Sequence, residues 1–386
     1  MLRSLVIACL AGGILAVPAL AGPRTQLVPG VVYERQVQFT RHGPVVLHVV
    51  TAPRPGGLYE LRPALSNGAI VGLEKLSSIQ RRLAPTTTTV GVSGDESPTG
   101  VLIESGVLHS LPLPGRSSIG IDAQGVLNVN RIGFSATWNG TGPRRPIVAL
   151  NQPPGPNGVS LFTSAYGPST PAAPDTVEAV FGALPPVRAN LDHSGQVTEV
   201  AQGGSRRIPP GGAVLVGRGT QAPRIAAEAA VGATVVVRVL LSRPEWGAMV
   251  HAIGGGPTLV RGSRPVFRPY EDFSSDMLVP RMARSAVGQR ADGTLLLVTV
   301  DGRQPGYSTG LTNFELAQAM ARLRAVTAAG LSWGRSAVMG FEGELLSKPS
   351  DRAGERPVAD ALLLHYSGTA ARKLGHSTGT SPRPRE

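Results

Sequence analysis

The chain has 386 residues, with 37 Lys and Arg against 25 Asp and Glu, a formal net charge of +12 and one cysteine, Cys9. Aromatic residues make up only 4% and the arginines are scattered, which sets nucleic-acid binding aside, because that function calls for basic clusters interleaved with exposed rings. With no cysteine after residue 9, the rest of the chain can hold no disulfide, thiolate nucleophile or cysteine zinc site, and its Arg-dominated charge suits an anionic partner.

Met1 to Ala21 combines Arg3, an apolar run from Leu5 to Val17 and the small-x-small ending Ala19-Leu20-Ala21. That is the pattern of a secretory signal peptide cleaved after Ala21, so a secreted or periplasmic protein is expected. Gly12, Gly13 and Pro18 break up the stretch, and no later segment is long or apolar enough to cross a membrane, so an integral membrane protein is not expected. Cys9 lies too close to Arg3 for lipid attachment.

From residue 22 to 366 we expect a single large α+β domain, predominantly antiparallel or mixed β-sheet with a few helices. The 49 Gly and 34 Pro punctuate short apolar runs at Pro44–Val50, Gly212–Val216, Thr234–Leu241 and Leu295–Val300, which read as strands joined by turns. Helical spacing is clear over Leu73–Leu83, Arg224–Ala230 and Thr312–Thr327. The last opens on Thr312-Asn313-Phe314-Glu315, a capping box. Two segments echo each other, Arg116-Ser117-Ser118-Ile119-Gly120 before Gly125-Val126-Leu127 and Arg284-Ser285-Ala286-Val287-Gly288 before Gly293-Thr294-Leu295, and each reads as a hairpin. Gly140–Pro186, rich in Pro, Gly and Asn, is expected to form long loops inside the domain. The tail 367–386 lacks periodicity and is expected to be disordered.

Chemistry-bearing motifs gather in 250–366. They are Ile253-Gly254-Gly255-Gly256-Pro257, Asp301-Gly302-Arg303 through Gly310, Pro349-Ser350-Asp351 and Gly354-Glu355-Arg356-Pro357. Glycine-rich turns at strand ends let backbone approach a ligand closely. Gly306-Tyr307-Ser308-Thr309-Gly310 fits the G-x-S-x-G expression, with Asp351 and His365 following. Even so, Ser308 stands too far from both the preceding strand and the next helix for a nucleophile elbow, and His365 reads as a strand residue. The histidines lack metal-ligand spacing and no Asp-rich calcium loop is present, so neither a metal nor another cofactor is expected.

The run from Val300-Asp301-Gly302-Arg303 to Thr312-Asn313-Phe314-Glu315-Leu316-Ala317, with Pro349-Ser350-Asp351 and Gly354-Glu355-Arg356-Pro357-Val358, resembles the phosphodiester glycosidase family of the uncovering-enzyme type. The resemblance extends upstream through Gly72-Leu73-Glu74, Arg116-Ser117-Ser118, Pro209–Leu215 and Gly254–Pro257. It implies hydrolysis of the bond between a sugar's anomeric carbon and a phosphodiester, with a phosphorylated sugar or glycan as partner. A phosphate leaving group needs cationic and backbone donors more than a strong general acid, so Arg284 and Arg303, Gly255 and Gly256, Gly334, Arg335 and Ser336, and Asp95 are candidate phosphate or substrate contacts. A carboxylate must support the oxocarbenium-like transition state or activate water, and Asp301 and Asp351 are the candidates. Glu315 is better explained by its cap. A turn at Asp301 and a loop contact at Asp351 remain open alternatives.

Two marker loops depart from the family pattern. Where it has Leu-Asp-Gly-Gly-Gly-Ser, this chain has Leu331-Ser332-Trp333-Gly334-Arg335-Ser336, and where it has Asn-Gly-Asp-Phe-Phe, this chain has Ser93-Gly94-Asp95-Glu96-Ser97. The first loses its acid and gains a bulky ring, and the second loses Asn and both aromatics. The alternative implied is a catalytically impaired relative that binds a phosphorylated glycan or cell-wall polymer. Arg324 replaces a usual glycine after the helix.

Overall fold

The structure, a computed structural model, describes residues 20–94, 96, 100–267 and 269–368. The signal peptide (except its last two residues), Asp95 and the expected disordered tail beyond residue 368 therefore lie outside the described residues. Strand content of 48% against 12% helix makes this a strand-dominated α+β domain, as the punctuated apolar runs imply.

The central eight-stranded sheet runs, in order, Leu20–Val28, Val31–Thr40, Gly43–Ala52, Leu295–Val300, Arg284–Arg290, Ala325–Trp333, Thr258–Arg261 and Arg264–Pro265. Its middle strands are apolar on both faces because helix Asn313–Arg322 covers one face and the second core fills the other. A second eight-stranded sheet takes in residues from Phe134 to Leu241, and two five-stranded sheets pack beside them. Both echoed segments form hairpins, Ser117–Ile121 with Leu127–Arg131 and Arg284–Arg290 with Leu295–Val300. Gln289 ties the two turns together, accepting from Leu127 N (2.9 Å) and donating to Gly125 O and Gly293 O.

Gly140–Pro186 is not a set of long loops. It contributes strands Arg145–Ile147, Ala149–Leu150, Val159–Thr163 and Ala172–Phe181. Pro174 falls where the pairing of Ala172–Phe181 slips register, one of the places a sheet tolerates proline. The buried alternation Val177, Ala179, Phe181 then joins the largest core.

Helix Asn313–Arg322 keeps its capping box, but Arg324 turns the chain at φ +67° and Ala325 already begins a strand. The apolar spacing expected to carry the helix to Thr327 thus runs into the sheet. The first helix is shorter than expected, Leu76–Leu83, and no side chain of its own N-cap closes it. Glu355, from the C-terminal motif, caps it instead, accepting from Ser77 N and Ser77 Oγ. The helix expected at Arg224–Ala230 runs Ala222–Glu228.

Candidate functional site

Three strand ends meet where the two altered loops lie. Thr88–Ser93 ends at Ser93, Ala325–Trp333 ends beside Ser332, and His251–Gly254 runs into Gly255 and Gly256. Ser332 is buried and its hydroxyl donates to Ser93 O at 2.9 Å, with the two hydroxyls 3.3 Å apart. Ser93 Oγ in turn donates to Ser336 O (2.6 Å) and accepts from Val338 N (3.0 Å). Two of the positions where the sequence departs from the family pattern, Ser93 and Ser332, are therefore direct partners, and a pair of serine hydroxyls stands where an amide and a carboxylate are expected.

A cleft opens beside this pair, lined by Arg116, Ser117, Ser118, Gly255, Phe273, Trp333 and Asp360. Phe273 meets Trp333 edge-on (ring centroids 5.8 Å apart), and the Arg116 guanidinium lies 4.5 Å from the Phe273 ring centre. Glu271 anchors this covering segment by accepting from Ser117 N, Ser117 Oγ and Thr258 N. These contacts leave about 10 Å³ of space in the cleft, room for a single water. Gly94 matters here through space alone, since a Cβ would fall 1.7 Å from Asp360 Oδ1.

The glycines expected to cradle phosphate have their N–H groups committed elsewhere: Gly255 to Ser117 O, Gly256 to Gly330 O and Gly334 to Ala283 O. A Cβ on Gly255 would strike Ile119 and Gly330 O, and one on Gly256 would meet Glu271 and Phe273. Glycine is required there for close packing of backbone against the cleft wall.

Asp301 and Asp351 do not line the cleft. Asp301 is buried, and its carboxylate takes His48 Nε2 (2.9 Å), Tyr307 OH (3.0 Å) and Lys348 N (2.9 Å). Behind it Tyr33 OH contacts His48 Nδ1 at 2.8 Å, and burial pushes the Tyr33 phenol up to about 12. Asp351 accepts from Ala353 N and Arg356 Nε, which hold its carboxyl below the usual range. Exposed Arg335 lies 3.7 Å from it.

Arg284 is buried and spends its donors on carbonyls, Nε on Leu311 O and Nη2 on Met277 O and Pro280 O. Burial, with Arg303 nearby, lowers it to about 10. It fastens the end of the short helix Ser275–Leu278 and the turn that follows it. Arg303 is exposed at φ +57°. Ser336 Oγ donates to Trp333 O. Ser308 is buried between Asp301 O and Val46 N and shares no hydrogen bond with Asp351 or His365.

Residues 187–365 match the family model described as phosphodiester glycosidase (NAGPA). Over this span the chain is similar to the phosphodiester glycosidases. The cleft draws on both sides of the boundary, taking Gly255, Phe273, Trp333 and Asp360 from the phosphodiester glycosidase span and Arg116 to Ser118 from outside it. The SPbeta prophage-derived uncharacterized protein YomE of Bacillus subtilis (strain 168) is 37% identical over 111 residues, 29% of this chain and 17% of its own length. A hypothetical protein of Synechocystis shares the fold with TM-score 0.74 and 24% identity, over 91% of this chain and 64% of that one. An exported-protein candidate from Burkholderia pseudomallei K96243 does so with TM-score 0.67 and 24% identity, over 83% and 74%. The chain thus spans less than two thirds of YomE and of the Synechocystis protein.

The sequence reading did not select Arg116, Ser117, Phe273 or Asp360 as site residues. The signals available were the Arg116-Ser117-Ser118 triplet of the resemblance and the acidic Asp360 at the head of the apolar run Ala361–Leu364.

Proposed function

We propose that this phosphodiester glycosidase-like protein is exported and binds a sugar-1-phosphodiester in the cleft without hydrolysing it at an enzymatic rate. The observation that carries this reading is the Ser93–Ser332 pair. A hydroxyl that donates to a main-chain carbonyl supplies no negative charge to an oxocarbenium-like centre and no base for water. Binding has better material. Arg116 leaves the Phe273 ring for the phosphate, where its planar donors suit bidentate contact, and the Trp333 ring, freed on one side, packs against the sugar's apolar face. The nearly filled cleft means that both rings shift on binding.

The test uses methyl phosphodiesters of glucose 1-phosphate and N-acetylglucosamine 1-phosphate, followed by calorimetry for binding and by NMR for released sugar. Saturable binding without release, weakened about tenfold or more by Arg116→Ala, is the expected result. Release faster than about 1 per second overturns it. N-terminal sequencing of protein recovered from the culture medium or periplasm checks export, with Gly22 as the expected first residue.

One observation favours a second reading. Asp360 is buried in the wall of the same cleft and offers a carboxylate that the Ser332 loop lacks. Hydrolysis through Asp360 predicts turnover that Asp360→Asn abolishes and Asp301→Asn leaves largely in place.

A further inference from the structure

Three of the strands that frame the cleft, Ser117–Ile121, His251–Gly254 and Asp360–Tyr366, frame another cavity with their opposite ends. It has a volume of about 450 Å³ and is lined by Ile121, His251 and His365, with Leu58 to Arg62 and Thr87 completing the wall. That volume falls within the range of about 300–1,000 Å³ common to small-molecule sites.

The polar groups here define their own tautomers. His251 Nδ1 lies 3.4 Å from Ser105 N–H and can only accept from it, so Nε2 carries the proton and donates to Glu60 Oε1 at 2.9 Å. His365 Nδ1 lies 3.5 Å from the Arg62 guanidinium, which can only donate, so Nε2 again carries the proton. That second N–H is buried, with no partner among the described residues. A buried N–H without a partner is costly unless something in the site accepts from it. Burial, with Arg62 beside it, holds His365 down to about 3, so the ring is neutral across the physiological range.

Arg62 lies between Glu60 and Glu104 at 3.6 and 3.7 Å, an arrangement with one carboxylate in excess. An anionic ligand would meet that excess of negative charge and would have to break the arrangement to reach Arg62. A neutral molecule that accepts from the His365 N–H, donates to the half-exposed Glu60 carboxylate and lays C–H groups against Leu58, Tyr59 and Ile121 leaves it intact. Vicinal hydroxyls on a pyranose ring have these properties together.

We infer that the cavity between Glu60 and His365 is a second binding site, for a neutral saccharide unit, at the strand ends opposite the cleft. It stands whether or not the cleft binds a phosphodiester. The test is titration of the full chain with methyl glucoside, methyl mannoside and N-acetylglucosamine by ligand-observed NMR, to about 10 mM, tenfold above a 1 mM dissociation constant. At least one sugar is expected to bind saturably. His365→Phe and Glu60→Gln should each weaken it about tenfold, and Glu60→Gln should leave phosphodiester affinity at the cleft unchanged. No saturable binding by any of these sugars overturns the inference, as does binding that survives both substitutions within about twofold. If circular dichroism shows that His365→Phe does not fold, the half-exposed Glu60→Gln decides.

Discussion

Restoring the family's residues one at a time should fail, and restoring them together should succeed. In Ser332→Asp, a buried hydroxyl that donates to Ser93 O at 2.9 Å becomes a carboxylate that cannot donate and faces the same carbonyl. The lost hydrogen bond costs about 1 kcal/mol, and the unpaired buried charge raises the total to about 2–4 kcal/mol near neutral pH. That carboxyl's pKa is raised in the fold, so the penalty grows as pH rises through it and shrinks toward pH 4. Ser93→Asn removes the bonds to Ser336 O and Val338 N, for about 1–2 kcal/mol. In the double variant the Asn amide can donate to the new carboxylate, so the two losses should fall short of additive by about 1–3 kcal/mol. Urea denaturation of the four proteins measures this coupling, and NMR assays of sugar-1-phosphodiester cleavage measure what it does for chemistry, with turnover expected only in the double variant. Additivity within about 0.5 kcal/mol would refute the view that these positions form one unit.

Other outcomes follow from buried groups. His365, held near 3 in the fold against 6.5 in an unfolded chain, contributes stability that is complete above 6.5 and lost as pH falls, about 2–3 kcal/mol by pH 4.5. Urea midpoints from pH 7 to 4.5 should therefore fall less steeply in His365→Gln than in the unmodified protein. Glu178 is fully buried in strand Ala172–Phe181 and burial raises its pKa. Its carboxyl therefore suits low pH and destabilises as pH rises, and Glu178→Gln should gain about 1 kcal/mol at pH 7, a gain that vanishes near pH 4. Gly94→Ala forces the Asp360 carboxyl aside and should lower stability by about 1–3 kcal/mol in a melting experiment. If hydrolysis through Asp360 operates, it should remove turnover as well.

Much of the fold was legible because its signals are local. The hairpin that turns before Gly293, the Thr312-to-Glu315 capping box and the alternating apolar runs each depend on residues within a few positions, and each stands in the structure. The loop expectation for Gly140–Pro186 failed for a tertiary reason. Proline and glycine there sit at strand ends and at a register slip in a sheet completed by Asp192–Gly204 and Ala213–Arg218, partners that no local window contains.

The site divides in the same way. The motifs carried the resemblance to the phosphodiester glycosidases and showed that its two marker loops had changed, and the Arg-dominated charge made an anionic partner the expectation. Which side chains are available for chemistry was decided only by tertiary contacts. Asp301 lost its free acceptors to His48, 253 positions away, and Ser332 found Ser93 at a separation of 239. A carboxylate's or hydroxyl's reactivity depends on burial and on which partners fill its hydrogen-bonding capacity. In a sheet those partners arrive from strands that are distant in the chain.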